Sequence, residues 1–415
     1  MQILWVKGGK LLPVDTGGKI RSYNILRHLA RNHQVTLLSY YGGGRDRDYE
    51  ARIRQSLPRA ETIYTAAPEA TWAQSFDYIF RLPSKAPYAV TRFTHPKVRR
   101  TVTEWLAERR FDIAVSDFLS ASLNFPLHPA VPAVLFQHNV ETVLWQRLAK
   151  VEPTLIRRLS YRIEAAKMAR YEPKALANFD HVIAVSENDR RQMLAFRPNC
   201  AITVVPTGVD TEQYAVVPPA AADPPVVAFT GSMDWEPNQD AVEYFCRDIW
   251  PSVVAAFPNA RFQIVGRNPH GRVRRLASSS VEVTGTVPSV GQYLRGATVV
   301  VVPLRIGGGT RLKIFEAMAM GKALVSTSIG AEGLDVVHGR DLLLADAPKD
   351  FTEGILNLLR DSALRHRLEL AAAAQARRYD WERIAERFAT VLGDTIAEFS
   401  GGSKPSRAPR QAVTL

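Results

Sequence analysis

VVVVPLRIGGGTRLKIFEAMAMGKALVST, residues 299–327, contains a strand, a glycine loop and a helix in one short run. The leading valines are typical of a parallel strand that is buried on both faces. Gly307–Gly309 form the loop, and Thr310 stands where a helix N-cap is expected. The apolar helix Arg311–Met320 is followed by Gly321, a typical C′ residue. This order predicts one unit of a parallel α/β sheet with its loop at the carboxyl end of a strand.

The same alternation of apolar strand-length runs and helical patterns continues in both directions along the chain. It predicts two mainly parallel, doubly wound α/β sheets with helices on both faces. The predicted strands are Ile3–Val6, Val35–Ser39, Thr62–Thr65, Ile113–Val115, Ala133–Phe136, His181–Val185, Ile202–Val205, Val226–Thr230, Arg261–Val265, Val281–Thr284, Thr298–Pro303, Ala323–Thr327 and Leu342–Leu344. The predicted helices are Lys19–Arg31, Pro96–Arg109, Val143–Ala177, Asn238–Ala256, Thr310–Met320, Pro348–Arg360, Ser362–Tyr379 and Trp381–Phe399.

Length and a proline-rich segment predict two domains in the 415 residues. VVPPAAADPP, residues 216–225, lacks periodicity and is typical of a linker. We therefore expect Rossmann-like domains at 1–215 and 226–380, facing each other across a cleft that binds ligands. A C-terminal helix at 381–399 is free to cross back to the first domain, and residues 400–415 have the composition of a disordered tail.

The net charge of +12 is uneven, with +10 in residues 1–215 and +2 in residues 216–415. Such a field favours an anionic partner, which leaves a lipid surface, a pyrophosphate carrier or nucleic acid open; solubility alone is an equal alternative. No apolar stretch approaches the roughly 20 residues that span a bilayer. Cys200 and Cys246 form no CxxC pair, so a reducing cytoplasm is the expected location.

The glycine loop and the helix after it predict a phosphate site. Glycines let backbone N–H groups approach a ligand closely, and a helix N-terminus favours an anion. Arg311 and Lys313 add two cations to the first helical turn, where they oppose the helix dipole unless an anion is bound. Glu316 lies in the same apolar helix and needs a partner, which the hydroxyls of a ribose would supply. The alternatives are an ion pair with Lys322 or a position at the surface.

Two segments of the first domain are also candidates. Gly17 and Gly18 precede a predicted helix, although a simple turn explains them as well. His138 follows the predicted strand Ala133–Phe136, at a strand end where binding sites form; the alternative is a histidine that satisfies backbone groups in a loop. Glu141 is expected to cap the next helix.

Several motifs together resemble the C-terminal signature of retaining family 4 glycosyltransferases of the GT-B fold, the exopolysaccharide-associated sugar transferases included. They occur in the order expected for that family. The matching motifs are PTGVD (206–210), FTGSMDWEPNQDAVEYF (229–245), VGR (265–267), VEVTGTV (281–287), GGGTRLKIFEAMAMGKALVST (307–327), GAEGL (330–334) and YDWERIAERF (379–388).

The resemblance implies roles for individual residues. Glu316 would hold the donor ribose, and Lys313 with Arg311 would stabilise the leaving diphosphate. His138 would lie near the transferred sugar, where its imidazole would hydrogen-bond a sugar hydroxyl. The remaining donor-binding residues would be Gly17, Gly18, Gly231, Ser232, Gly285, Val287, Gly307, Gly308, Gly309 and Thr310. The family's first glutamate is replaced here by Gly308, and Ser232 and Asn238 stand where the family's Arg and Lys usually are, so Arg311 and Lys313 are expected to supply that charge.

The function that the resemblance implies is retaining transfer of a hexose from a nucleotide diphosphate sugar to a glycan or lipid-linked glycan, in exopolysaccharide or lipopolysaccharide assembly. No Asp-x-Asp pair directly follows a predicted strand and His and Cys do not cluster, so we expect neither metal nor cofactor. The basic first domain and its aromatic residues, among them Trp72, Phe76, Tyr78, Phe80 and Trp105, suit peripheral docking at an anionic membrane. A nucleotide-sugar epimerase of the same fold and a non-catalytic basic binding module remain alternatives; no nucleic-acid motif is present.

Overall fold

A computed structural model describes residues 1–65, 71–152, 154–216, 223–306 and 312–401. The chain divides into two compact units. The first contains Met1–Pro206 and the chain from Trp381 onward, and the second is Thr207–Asp380. Each unit has its own parallel sheet, which confirms the predicted α/β class. Of the predicted tail, only residues 400 and 401 are among the described residues.

The second unit begins at Thr207, earlier than the predicted boundary after residue 215. The reason is a pairing that the sequence did not reveal. The backbone N–H of Val209 donates to the carbonyl of Tyr379 at 2.8 Å, and Val209 also bridges to Asp380. These contacts tie the segment after Pro206 to the last residues of the second unit.

The sheet of the first unit has seven parallel strands. They are β1 (Gln2–Gly8), β2 (Gln34–Tyr41), β3 (Ala60–Tyr64), β4 (Ile113–Asp117), β5 (Ala133–Phe136), β6 (His181–Ala184) and β7 (Ile202–Val204). Their order is β3-β2-β1-β4-β5-β6-β7, so the winding direction changes between β1 and β4. In doubly wound sheets ligands bind beyond the carboxyl ends of the strands at this point.

Eight α-helices precede Pro206 among the described residues of the first unit. They are α1 (Gly17–Asn32), α2 (Arg47–Ser56), α3 (Thr71–Arg81), α4 (Tyr88–Thr91), α5 (Pro96–Ala107), α6 (Glu141–Val151), α7 (Leu155–Asn178) and α8 (Glu187–Phe196). The prediction of one helix over Val143–Ala177 was wrong, because α6 ends before α7 begins. Proline removes a helical N–H donor, and the sequence has Pro153 at this break.

The second unit has a six-stranded parallel sheet. Its strands are β8 (Val226–Thr230), β9 (Arg261–Val265), β10 (Val281–Gly285), β11 (Val299–Val302), β12 (Leu324–Ser326) and β13 (Leu343–Leu344). The order β10-β9-β8-β11-β12-β13 places the change of winding between β8 and β11. The carboxyl end of β8 is therefore where the fold itself favours a ligand.

Seven helices are seen in the described part of the second unit. They are α9 (Glu236–Tyr244), α10 (Trp250–Ala256), α11 (Gly271–Arg274), α12 (Val290–Gly296), α13 (Leu312–Ala319), α14 (Pro348–Arg360) and α15 (Ser362–Ala376). The predicted helix Asn238–Ala256 is a nearly continuous run, but a π-helical turn, Phe245–Ile249, separates α9 from α10. Gly321 ends α13 as predicted: its φ is +65°, and the Lys322 N–H reaches the Ala317 carbonyl at 3.0 Å.

The last helix, α16 (Trp381–Ser400), belongs to the first unit. Phe388 is fully buried there, with ring centroids 5.4 Å from Trp5 and 5.0 Å from Phe136. The helix also packs against α1. A strand at the centre of the sheet thus has its aromatic side chain covered by the final helix. Within the described ranges, no helix is long and apolar enough to cross a membrane.

Candidate active site

Lys313 lies in the first turn of α13, and its ammonium reaches the carboxyl end of β8. Nζ donates to Oδ1 of Asn238 at 2.8 Å. It also lies 4.0 Å from the centroid of the Phe229 ring, a distance suited to a cation–π interaction. Asn238 in turn donates to the Ser232 carbonyl at 2.8 Å, so three segments of the second unit position this cation.

Gly231 follows β8 and makes this approach possible. A Cβ at this position would lie 2.8 Å from Lys313 Nζ and 2.7 Å from Asn238 Nδ2, closer than real contacts allow. Gly266, after β9, is needed for a similar reason, since its Cβ would overlap the Gly231 carbonyl. The structure therefore brings the predicted residues Gly231 and Lys313 together at the switch point of the sheet.

Ser232, another predicted donor-binding residue, is held by Arg267, a cation that was not among the predicted site residues. Its hydroxyl donates to Asp234 Oδ1 and accepts from Arg267 Nε, both at 2.7 Å. The Arg267 guanidinium lies 3.9 Å from the Asp234 carboxylate. Arg267 ends the VGR motif, which was visible in the sequence but had been given no charge role. A second cation thus lies at the carboxyl edge near β8.

Glu316 projects from α13 one turn after Lys313. The Tyr214 hydroxyl is hydrogen-bonded to its carboxylate. Burial raises the pKa of Glu316, while the Tyr214 hydrogen bond and the Lys313 charge oppose that rise. An ion pair with Lys322, one of the alternatives, is absent: Lys322 Nζ donates to the carbonyls of Arg295 and Ala297 at 2.7 and 3.1 Å.

A cavity of about 390 Å³ opens at the carboxyl end of β10. Asn268, Arg274, Thr284, Gly285 and Thr286 are among the residues that line it. Gly285 has a φ of +71°, a conformation that favours glycine. Of the predicted donor-binding residues, Gly285 thus lines a cavity, and the half-buried Val287 comes directly after that lining.

Five predicted residues, Gly307, Gly308, Gly309, Thr310 and Arg311, lie outside the described residues. Their roles in phosphate binding stay predictions. Across the described ranges, no group of three or more His, Cys, Asp or Glu side chains is placed to hold a metal ion.

In the first unit, the predicted residues Gly17 and Gly18 begin α1, after an extended Thr16. A Cβ on Gly18 would lie 2.5 Å from Cζ of Phe118. The Phe118 ring stacks on the imidazole of His138, with centroids 3.7 Å apart and planes 12° from parallel. Gly18 is therefore fixed by aromatic packing that connects the start of α1 to His138.

His138 is almost completely buried, and both of its ring nitrogens are engaged. Arg21 Nη1 lies 2.9 Å from Nδ1, and Asp117 Oδ1 lies 2.8 Å from Nε2. Arginine only donates, so Nδ1 accepts and the proton is on Nε2, which donates to Asp117. The predicted hydrogen bond from this imidazole to a sugar hydroxyl does not fit, because neither nitrogen is available.

Asp117, at the end of β4, holds this network together. Its second oxygen, Oδ2, accepts from Lys7 Nζ at 3.1 Å and from Trp5 Nε1 at 3.0 Å. Burial alone would raise the pKa of Asp117, but the Lys7 charge and the His138 hydrogen bond hold it well below its usual value. Burial lowers the pKa of His138 and outweighs the Asp117 charge, so the imidazole is neutral.

This neutral histidine predicts a pH dependence of stability. Unfolded His138 takes up a proton near pH 6.5, whereas the folded imidazole has a depressed pKa and stays neutral. Below pH 6.5 the unfolded chain therefore binds one proton more than the folded chain. The contribution of His138 to the free energy of unfolding is fully present above pH 6.5, and it decreases at lower pH by up to about 1.4 kcal/mol per pH unit. Urea unfolding at a series of pH values measures the free energy of unfolding. Below pH 6.5 that free energy should fall less steeply with decreasing pH in His138→Gln than in wild type. Equal slopes would contradict the assignment.

Glu141 does not cap α6, contrary to expectation. The cap is the carboxylate of Glu172 on α7, which accepts from the backbone N–H groups of Glu141 and Thr142 at 2.9 and 2.8 Å and from Gln137 Nε2 at 2.7 Å. Burial and the Glu172 charge raise the pKa of Glu141 to about 7. By contrast, α8 is capped by its own N-cap residue, since the Ser186 hydroxyl accepts from the Asp189 N–H at 3.0 Å.

Two family models match the chain in succession. One, described as glycosyltransferase family 4, matches residues 16–213, and the other, described as glycosyl transferases group 1, matches residues 224–361. With two doubly wound sheets, these matches define a glycosyltransferase of the GT-B fold. The two models together account for most of the sequence, and the chain belongs to the group 1, family 4 glycosyltransferases.

Individual proteins are similar over most of their length. The phosphatidyl-myo-inositol mannosyltransferase of Mycobacterium tuberculosis is 26% identical over 360 residues, 82% of this chain and 89% of that protein. Sucrose-phosphate synthase from Thermosynechococcus elongatus has a TM-score of 0.69 at 16% identity, covering 96% of this chain and 100% of that one. Anabaena HepE in complex with UDP and glucose has a TM-score of 0.66 at 15% identity, covering 95% and 100%. The two structural likenesses show the fold alone.

Proposed function

We propose that this glycosyltransferase moves a hexose from a nucleotide diphosphate sugar to a glycan or lipid-linked glycan, with retention of configuration, in cell-surface polysaccharide synthesis. The observation that carries the proposal is the Lys313 ammonium, held by Asn238 and Phe229 at the carboxyl end of β8. A fixed cation at a switch point suits a diphosphate, which is the group that must depart with the electrons of the broken bond.

In the proposed reaction, an acceptor hydroxyl attacks C1 of the sugar while the bond from C1 to the phosphate oxygen breaks. The electron pair leaves with the diphosphate, which takes up the proton of the acceptor hydroxyl. Lys313 stabilises the negative charge that develops, a contribution that is large in a site from which water is excluded. Arg267 supports the loop after β8 through Ser232. These protein cations are proposed to do the work for which other transferases use a metal ion.

The nucleoside is proposed to bind along the same edge of the second unit. Glu316 would accept hydrogen bonds from the ribose hydroxyls, because its carboxylate already accepts from one hydroxyl, that of Tyr214. The cavity beside Gly285 and Thr286 would take the base. The HepE structure, which contains UDP and glucose, supports a nucleotide-sugar donor for this chain.

The acceptor is proposed to be bound by the first unit, at the inner face of the cell membrane. The excess positive charge of residues 1–215 supports an anionic lipid-linked acceptor. Among the described residues of this unit, Gly18, Arg21 and His138 form one packed cluster, so His138 is proposed to position this segment by packing.

Glu316→Gln is expected to weaken nucleoside diphosphate binding by about 1–3 kcal/mol, because a charged hydrogen-bond partner of the ribose is lost. Isothermal titration calorimetry measures the change. Glu353→Gln, an exposed substitution on α14, is the matched control and should bind as wild type does. Unchanged affinity in Glu316→Gln would remove the ribose role.

A thermal-shift screen of nucleoside diphosphates tests the proposed function as a whole. One base should raise the unfolding temperature above the others, and Lys313→Ala should reduce that rise. Incubation with the matching nucleotide sugar should give product only when an acceptor is added. A new nucleotide sugar formed from the donor alone would indicate an epimerase instead, and failure of every nucleotide to bind would overturn the proposal.

A further inference from the structure

Two helices of the first unit, α3 and α7, carry large apolar side chains that face solvent. Their exposed fractions range from 59% for Leu159 to 85% for Phe80. The six side chains, which we call the α3–α7 face, are Phe76, Ile79, Phe80, Leu155, Ile156 and Leu159. Exposed apolar clusters of this kind are uncommon on soluble domains and mark interaction surfaces.

The spacing of these residues gives each helix one apolar side. On α3 the positions are i, i+3 and i+4, starting from Phe76. On α7 they are i, i+1 and i+4, starting from Leu155. Residues with this spacing project from the same side of a helix. Each helix thus presents three large apolar side chains to solvent on one side.

Polar contacts hold the two helices beside each other. Tyr88 on α4 connects them: its backbone N–H donates to Oε2 of Glu164 on α7 at 2.6 Å, and its hydroxyl donates to the carbonyl of Gln74 on α3 at 3.3 Å. Lys167 Nζ on α7 donates to the carbonyl of Leu82, just after α3, at 2.7 Å. These contacts bring the two apolar sides onto one region of the first unit.

Cations dominate the sequence around this region. Residues 71–100 contain six Lys and Arg residues but a single acidic residue. Residues 154–170 contain five Lys and Arg residues and one acidic residue. Of these, Arg157 and Arg162 are exposed on α7 itself. Long basic side chains can lay their methylene groups on apolar surface while the charge reaches outward. The two helices therefore combine exposed apolar side chains with a net positive charge.

We propose that the α3–α7 face inserts into the headgroup and acyl boundary of an anionic lipid bilayer. Amphipathic helices with large apolar side chains opposite basic ones lie in that boundary. With 11 residues, α3 is too short to span the hydrocarbon core, which needs about 20. The purpose of the docking rests on the proposed function, since it would bring the first unit to a lipid-linked acceptor.

A second copy of the chain fits the same face poorly. A twofold contact would place the face against itself, so that the excess positive charge of both copies would meet. Like charges at close range oppose such a dimer, whereas a surface of anionic lipid attracts them. Of the aromatic residues predicted for docking, Phe76 and Phe80 lie on the face. Tyr78 and Trp105 are partly buried, and the side chain of Trp72 is not among those that the structure describes.

Vesicle co-sedimentation of the full chain tests the proposal. Wild type should sediment with phosphatidylcholine vesicles that contain phosphatidylglycerol, and much less with phosphatidylcholine alone. Phe80→Glu/Ile156→Glu should lower the partition coefficient at least about tenfold, because two large apolar side chains are replaced by charges. Arg157→Glu/Arg162→Glu should lower it most at low salt, where electrostatic attraction is strongest.

Arg367→Glu/Leu370→Glu is the matched control. Both residues are exposed on α15 of the second unit, Leu370 at 58%, so this variant should bind vesicles as wild type does. Wild-type affinity of Phe80→Glu/Ile156→Glu would overturn the proposal, as would equal binding to neutral vesicles. A wild-type dimer in light scattering that Phe80→Glu/Ile156→Glu dissociates would assign the face to a second copy. Nucleoside diphosphate affinity, measured on the same variants, should be unchanged, which separates failure of the docking surface from failure of the proposed function.

Discussion

Lys313→Ala is expected to lower the rate of sugar transfer by about a hundred- to a thousandfold, the cost of removing one preorganised charge from a transition state. The ammonium is fixed by Asn238 at 2.8 Å and by the Phe229 ring at 4.0 Å, so it needs no rearrangement as the diphosphate departs. Alanine leaves that developing charge to Arg267 and to the backbone. Initial rates at saturating donor and acceptor measure the effect.

Substitutions of two other lysines in the second unit distinguish this loss of catalysis from the loss of a surface charge and from a loss of stability. Lys349→Ala, at an exposed position on α14, should leave turnover unchanged. Lys322→Ala should lower the free energy of unfolding, since two carbonyls, those of Arg295 and Ala297, lose their donor. Turnover near that of wild type in Lys313→Ala, with the fold intact by circular dichroism, would take Lys313 out of the proposed site.

Asp117→Asn is expected to lower the free energy of unfolding by about 3–5 kcal/mol, the usual cost of breaking a buried charge network. Lys7 is only 3% exposed and would lose the carboxylate at 3.1 Å. The amide also creates a conflict at His138. If its oxygen keeps the bonds from Lys7 and Trp5, its NH₂ group faces Nε2, which must then accept; the imidazole proton moves to Nδ1 and meets Arg21, another donor.

Urea unfolding of both proteins at neutral pH measures this loss. Asp112→Asn is a suitable control, because Asp112 accepts from the Gln2 N–H at 2.7 Å at an exposed position near the same sheet. It should lose no more than about 1 kcal/mol, as exposed hydrogen bonds do. If Asp117→Asn also lost no more than about 1 kcal/mol, the network would carry little of the stability of the first unit.

The strands were predictable because buried parallel strands leave continuous apolar runs, and the run at Val299–Val302 is an extreme case. The end of α13 was predictable for a local reason, since Gly321 supplies the positive φ that the helix end requires. Helix continuity was harder to judge. Helical periodicity persists across residues 143–177, although the chain breaks the helix there and begins a new one at Leu155.

The site was predictable in its components but less so in its contacts. Lys313, Glu316 and Gly231 were identified from motifs, but the bond between Lys313 and Asn238 joins positions 75 residues apart. The Arg21–His138 contact spans 117 residues, and nothing in either local sequence indicates it. Glu172 caps α6 by accepting from the backbone N–H of Glu141. It was missed because the two residues are 31 positions apart in the sequence. Such pairings follow from the winding of the sheet, which local patterns do not encode.

The membership of α16 in the first unit affects the order of events on the ribosome. When Pro206 has been translated, Trp5 and Phe136 still lack Phe388, because all of Thr207–Asp380 must be made first. At about 5–20 residues per second, that interval lasts on the order of ten to thirty seconds. Throughout it the nascent chain carries an uncovered aromatic patch, whereas the second unit needs nothing that is translated after Asp380. Translation therefore completes the later unit before the earlier one, and a message cut before the codon for Trp381 would yield a polypeptide whose first half stays open.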